Sequence, residues 1–319
     1  MTTSFGAKST ADEVLSGIQL NGKRYLVTGV SSGIGLETAR SLVARGASVI
    51  GAVRNIAKAE RASGEIKTSA QNGGGKFELM ELDLGSLASV KTGAELLLNR
   101  GEKFDGIIAN AGVMATPYGK TEDGFETQLG INYIGHFALV NKLVPLLVEG
   151  SRVIVLSSQA HRVADIDLED PNFDNQDYEP FVAYGRSKTA TTLFAKELDQ
   201  RFRDKGIRAA SVMPGNSLTE LPRNFSEEEL QGLFEIVGKA REEAGLPLGE
   251  LKEISQAAAT SVWAAVVADM NEIGGLYLED CAVSPVNAQE NPFADGVMPY
   301  ALDAGSAKKL WDWTEEALA

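Results

Sequence analysis

Arg24-Tyr25-Leu26-Val27-Thr28-Gly29-Val30-Ser31-Ser32-Gly33-Ile34-Gly35 decides the fold of this chain. Arg24–Thr28 reads as a first strand and Ile34–Arg45 as the helix after it. The glycines between them are spaced Gly-x-x-x-Gly-x-Gly. Gly29 permits a tight turn, Gly33 lets backbone approach a pyrophosphate, and Gly35 lets helix and strand pack closely. Ser31, Ser32 and Ile34 complete the loop. The helix N-terminus then meets a phosphate with free N–H donors and the positive end of its dipole. The spacing differs from the Gly-x-Gly-x-x-Gly of the common dinucleotide fingerprint.

Outward from this turn, strand and helix patterns alternate. Ser48–Val53, Lys76–Glu81, Gly106–Ala109, Arg152–Leu156 and Ile207–Val212 read as strands. Helical periods cover Ile56–Ala70, Leu87–Asn99, much of Glu122–Val148, and Phe181–Arg203. Such alternation predicts a parallel sheet with helices on both faces, doubly wound, with its ligand crevice at the carboxyl ends of the strands. No compositional break marks a second domain. Gly73-Gly74-Gly75 is a loop; no Lys-Ser/Thr follows it. Three stretches depart from the alternation: an acidic insert at 165–179, expected as a solvated loop; a segment at 216–248; and a C-terminal extension at 283–319. Within the second, Ser226 and Glu229 form a capping-box pattern.

Composition narrows the function. The formal net charge of −14 argues against nucleic acid and anionic membrane surfaces, which need a basic face. The single cysteine, Cys281, excludes an intramolecular disulfide and suits a reducing compartment. No apolar run approaches ~20 residues, and no signal peptide is evident. A soluble cytoplasmic protein without membrane insertion is expected. His136 and His161 have no nearby carboxylate or cysteine set, so no metal site is expected.

The second strand ends Ala52-Val53-Arg54-Asn55. An acid there would bond a ribose 2′-OH; an Arg suits a 2′-phosphate, which it can hold bidentately. Arg54 therefore points to NADP(H). Further on, Tyr184-Gly185-Arg186-Ser187-Lys188 places a phenol and an ammonium one helical turn apart. A unit charge at about 4 Å, with an effective dielectric of about 20, stabilises a phenolate by roughly 4 kcal/mol. That is about three pKa units, enough to bring a phenol towards working pH. Ser157 and Ser158 lie upstream.

Together these residues resemble the short-chain dehydrogenase/reductase family, from about residue 23 to 277. Besides Thr28–Gly35 and Tyr184–Lys188, the likeness rests on Asp83-Leu84, Asn110-Ala111-Gly112, Asn132, Ser158 and Pro214-Gly215-x-x-x-Thr219. Arg152–His161 and the long Ser158–Tyr184 separation are similar to the retinol-dehydrogenase and WW-domain-oxidoreductase-like branch. The resemblance implies a single-domain Rossmann-type doubly wound sheet. It implies Tyr184 as acid/base, Lys188 as its pKa-lowering and ribose-binding partner, and Ser158 as the hydrogen-bond donor to the substrate oxygen. It implies Asn132 as holder of a water in the proton path. Asp83 and Leu84 are then expected at the adenine, Asn110, Ala111 and Gly112 along the ribose, and Thr219, after Pro214 and Gly215, at the nicotinamide or a phosphate. It also implies a homodimer or homotetramer through the long helices around Asn132 and Tyr184, unless the insert or the extension blocks that face.

The expected activity is hydride transfer between NADP(H) and a carbonyl or alcohol of a hydrophobic small molecule. Two alternatives stay open: a non-catalytic NADP-binding sensor or scaffold, and an NADPH-dependent C=C reductase. Leu218, Leu221, Phe225, Leu230, Leu233 and Phe234 read equally as an apolar lid or as plain helix packing. Met114 and Met213 are candidates to approach the pocket.

Overall fold

The computed structural model describes residues 5–217, 227–246, 248 and 250–319. Eight strands form one sheet: β1 (Arg24–Thr28), β2 (Ser48–Val53), β3 (Lys76–Glu81), β4 (Phe104–Ala109), β5 (Leu147–Leu156), β6 (Arg208–Met213), β7 (Tyr277–Glu279) and β8 (Ala282–Val283). Their order is β3-β2-β1-β4-β5-β6-β7-β8. All neighbours pair in parallel except β7 and β8. The chain order reverses beside β1, which has β2 on one side and β4 on the other. A crevice opens at such a switch point because the connections leave in opposite directions.

Alternate strand residues feed two separate cores. Leu26, Ile107, Val153 and Val155 pack beneath the helices Leu87–Arg100, Gly135–Leu143, Pro180–Phe202 and Ala304–Ala317. Val27, Ile108, Ile154 and Leu156 face the other way, towards Gly33–Val43 and Gly64–Gly73. The side-chain period of two makes this division, and covering both faces is what a parallel sheet requires.

β1, β2 and β3 lie where the sequence places them. Other elements differ for local reasons. Ile56–Ala70 is split into Ile56–Ala62 and Gly64–Gly73 at Ser63, whose hydroxyl donates to the Glu60 carbonyl and competes with the helix ladder. The expected helix Glu122–Val148 is helical from Thr127 to Leu146, and β5 starts at Leu147. Pro145 lies in its closing 3₁₀ turn, where a proline cannot extend the helix. The acidic stretch carries no regular element, but it is not simply solvated. Asp170 is buried and accepts the N–H groups of Asp174 and Asn175, and the side-chain amide of Gln176. The helix Glu227–Glu243 occupies the position signalled by the capping box. Ser226 itself lies outside the described residues, as does the Glu229 side chain.

The C-terminal helix Ala304–Ala317 is capped by Asp303, which accepts the Ser306 N–H. Its Trp311 ring meets Phe137 edge-on at 4.7 Å between centroids, and its Thr314 hydroxyl bonds Tyr133 Oη at 2.6 Å. Trp311 also packs on Phe194. This helix therefore lies on the aromatic faces of the long helices through which pairing was expected.

The glycine turn is as tight as its spacing implies. Gly29 has φ +77°, a region costly for residues with a Cβ. At Gly35 a Cβ would come within 2.4 Å of the Gly29 carbonyl oxygen and 2.3 Å of Asn110 Nδ2. Gly35→Ala should destabilise the protein by about 1–3 kcal/mol through overpacking. The urea midpoint measures this; a midpoint equal to that of the parent would contradict the close approach.

Candidate active site

A cleft of about 1460 Å³ opens at the carboxyl ends of the strands. From the β1 end come Gly29, Ser31, Ser32, Gly33, Ile34 and Gly35; from the β2 end, Arg54. Asp83 and Leu84 follow β3, and Asn110, Ala111 and Gly112 follow β4. Ser158, Tyr184, Lys188, Pro214 and Gly215 line the same cleft from β5, β6 and the helix Pro180–Phe202. Met114 and Met213 also border it. Thr219, Leu218, Leu221 and Phe225 lie outside the described residues, as do the side chains of Leu230, Leu233 and Phe234.

The helix Gly33–Val43 begins without a side-chain cap, leaving its first N–H groups to the cleft. Asn110 Nδ2 donates to the Thr28 carbonyl at 2.8 Å, so this side chain braces the glycine turn. One Asp83 carboxylate oxygen accepts the Gly85 N–H at 2.9 Å.

The tyrosine helix starts at Pro180, an N1 residue that needs no N–H partner, and Glu179 caps it by accepting from Phe181 and Val182. Tyr184 and Lys188 are both buried one turn apart. Lys188 Nζ lies 5.7 Å from the Tyr184 ring centroid and donates to the Leu156 carbonyl at 2.9 Å. Burial pushes the Tyr184 phenol up to about 12, partly offset by a hydrogen bond with Ser158. Burial pulls the Lys188 ammonium down to about 8. The expected lowering of the phenol by the ammonium does not appear; desolvation, which penalises both charged forms, sets the direction of both shifts.

The two serines have different surroundings. Ser157 donates to the Lys188 carbonyl at 2.9 Å and accepts from Thr192 at 2.8 Å. Ser158 Oγ accepts the Ala160 N–H at 3.2 Å, which leaves its own proton for the side of the cleft where it bonds the Tyr184 phenol.

Asn132 sits behind the cleft wall in a π-helical turn, Gly130–Ile134. Its side chain accepts the Val113 N–H at 2.8 Å and donates to the Val113 carbonyl and to Ser187 Oγ. A buried hub joins this turn to β1 and β4. Thr28 Oγ1 accepts the N–H groups of Asn110 and Ala111, each at 2.9 Å, and lies 2.9 Å from His136 Nε2. The hydroxyl proton must then go to His136, whose Nδ1–H donates to the Asn132 carbonyl. The ring is neutral, and burial holds its pKa down to about 4.

A family model described as short chain dehydrogenase matches residues 23–230. The chain belongs to the short-chain dehydrogenase/reductase family. Members of this family are oxidoreductases that bind nicotinamide cofactors. A short-chain dehydrogenase/reductase of Penicillium roqueforti is 39% identical over 298 residues, covering 91% of this chain and 83% of its own length. Retinol dehydrogenase 14 of Mus musculus is 36% identical over 307 residues, covering 93% and 86%. A crystal structure of an uncharacterized protein from Mycobacterium paratuberculosis superposes with a TM-score of 0.70 at 32% identity, covering 95% and 96%.

Within this family site, sequence reasoning assigned no role to the Thr28 side chain, to His136 and His161 beyond the absence of a metal set, or to Lys252. His136 follows Asn132 by four residues, the helical spacing that could have linked them. Lys252, which pairs with Asp280 and lines the cleft beside Gly215, is far from every motif and carried no sequence signal. Among the described residues, no group of His, Cys, Asp or Glu is arranged to hold a metal, and no helix is long and apolar enough to cross a membrane.

His136 and His161 are both buried and held down to about 4. Because the unfolded forms take up protons first, stability present above about pH 6.5 should fall as pH drops towards 4. Each histidine accounts for up to about 3 kcal/mol of that loss. Urea midpoints at about pH 7 and about pH 4.5 measure it, and His161→Asn should show a weaker dependence. Equal midpoints in the parent protein would contradict neutral burial.

Proposed function

We propose that this protein is an NADP(H)-dependent oxidoreductase that interconverts a carbonyl and an alcohol on a hydrophobic small molecule. The observation carrying this reading is the meeting of Ser158, Tyr184 and Lys188 with the glycine turn in one cleft. The open helix N-terminus after Ser32 fits a pyrophosphate, and the close packing at Gly35 leaves room only for backbone there. Arg54, exposed at the cleft edge, supports the 2′-phosphate form of the cofactor. The alcohol and carbonyl class draws support from the similarity to retinol dehydrogenase 14.

When bound, the cofactor supplies the hydride for the carbonyl carbon. The Ser158 hydroxyl donates to the substrate oxygen, and Tyr184 delivers the proton that turns the new alkoxide into an alcohol. A buried phenol pushed up to about 12 is a stable proton store for that step. Lys188 keeps a positive charge beside the phenolate left behind, so the charge that burial disfavours is paired while it exists. Oxidation runs the same transfers backwards. Phe181, Val163 and Phe293 add apolar wall to the cleft that also holds Tyr184, which suits a hydrophobic substrate.

A panel of aliphatic and aromatic aldehydes, ketones and enones, followed by NADPH absorbance and product analysis, tests the activity. Turnover of carbonyls supports it; enone C=C reduction alone, or binding without turnover, supports the competing readings. Tyr184→Phe should lower kcat by about 10²–10⁴-fold and leave the NADPH Kd within about twofold. Near-parental turnover would defeat the mechanism. Arg54→Asp should lower the NADPH-to-NADH ratio of kcat/KM by about 10–100-fold, the worth of a charged hydrogen bond. An unchanged ratio removes Arg54 from cofactor choice.

A further inference from the structure

The turn after Ser158 is gripped from outside the sheet, and His161 does the gripping. His161 is buried, with Nδ1 2.7 Å from the Ser158 carbonyl oxygen and Nε2 3.1 Å from the Met298 main-chain nitrogen. A carbonyl can only accept, and a backbone N–H can only donate. The imidazole is therefore neutral, with its proton on Nδ1 and its lone pair towards Met298. Two more bonds run between the same segments. Arg162 Nε donates to the Gly296 carbonyl at 2.7 Å, and Tyr300 Oη donates to the His161 carbonyl at 2.6 Å. The Tyr277 ring packs against the imidazole at 4.7 Å between centroids.

We infer that His161 is a positioning residue for Ser158, through which the C-terminal stretch Gly296–Tyr300 becomes part of the active site. The path is short. Met298 N–H holds Nε2, which keeps the proton on Nδ1. That proton, beside the His161 backbone N–H at 3.1 Å, fixes the Ser158 carbonyl and so the plane of the Ser158–Gln159 peptide. The same turn brings the Ala160 N–H to Ser158 Oγ, leaving the serine proton for the side on which the Tyr184 phenol lies. Without the Nδ1 donor, the Ser158 carbonyl keeps only the His161 backbone N–H at 3.1 Å, and the short 3₁₀ turn Gln159–Arg162 loses one of the bonds that set its position. A shift of about 1 Å in a positioned group costs on the order of 10²-fold in rate.

This inference rests on the proposed role of Ser158, and the test separates the two. Kinetics with NADPH and para-nitrobenzaldehyde, or with the best carbonyl of the panel, are compared for His161→Leu, His161→Asn, His161→Gln, Ser158→Ala and the double variant Ser158→Ala/His161→Leu. His161→Leu should lower kcat by about 10²-fold with the NADPH Kd unchanged. His161→Asn, whose amide can take the place of Nδ1–H, should recover most of that loss; His161→Gln, whose amide reaches the Met298 side, should not. In the double variant, His161→Leu should add almost nothing to Ser158→Ala, because it acts through that residue. Additive losses, or equal kcat for the Asn and Gln variants, overturn the inference. If His161→Leu fails to fold, the Asn–Gln contrast alone decides. Parental turnover in Ser158→Ala overturns the role of Ser158 and this inference together. Loss in Ser158→Ala with full turnover in the His161 variants overturns only the inference.

Discussion

The cleft depends on one buried hydroxyl. Thr28 Oγ1 accepts two N–H groups from the end of β4 and gives its own proton to His136, which in turn holds the Asn132 carbonyl. Four groups from three segments are satisfied at one atom and its partner ring. Each would be expensive to bury alone, so the network is stable only when complete. Its effect is to set the end of β1 against the end of β4 and the π turn. Those are the walls on either side of the switch point. Asn110 continues the brace by bonding the Thr28 carbonyl from its side chain.

A second constraint is desolvation. The cleft buries a phenol and an ammonium one turn apart, and burial moves both pKa values away from the charged forms, to about 12 for Tyr184 and about 8 for Lys188. Coulombic attraction between such groups would work the other way. Burial sets both shifts here, and the ammonium donates to the Leu156 carbonyl, standing 5.7 Å from the ring centroid.

The C-terminal region closes the molecule twice. Its helix Ala304–Ala317 lays Trp311 on the aromatic residues of the two long helices, with the Arg201 guanidinium 4.5 Å above the indole. The stretch before it bonds His161 and Arg162 beside Ser158. Both contacts join residues more than a hundred positions apart, and both cover surface that the sheet alone would leave open.

How much of this was legible follows from the range of each interaction. The glycine spacing, the Tyr-x-x-x-Lys pair and the alternation of strands with helices are local patterns. They carry the sheet class, its crevice and the residues that line it, because φ/ψ limits and side-chain periodicity act over a few positions. The break at Ser63 and the early start of β5 were less legible, since local hydrogen bonds and Pro145 compete there with a continuous helical pattern. The spacing could link His136 to Asn132, but the tautomers of His136 and His161 could not be read from sequence. A histidine's tautomer is set by whichever donor and acceptor the fold brings to its two nitrogens, and here those are Thr28 and Asn132, and Met298 and Ser158. Sequence by itself determined the sheet class and the motif residues that border its crevice, though not Lys252. Tertiary structure alone decided their protonation and direction, because burial and long-range hydrogen bonds exist only once distant segments have met.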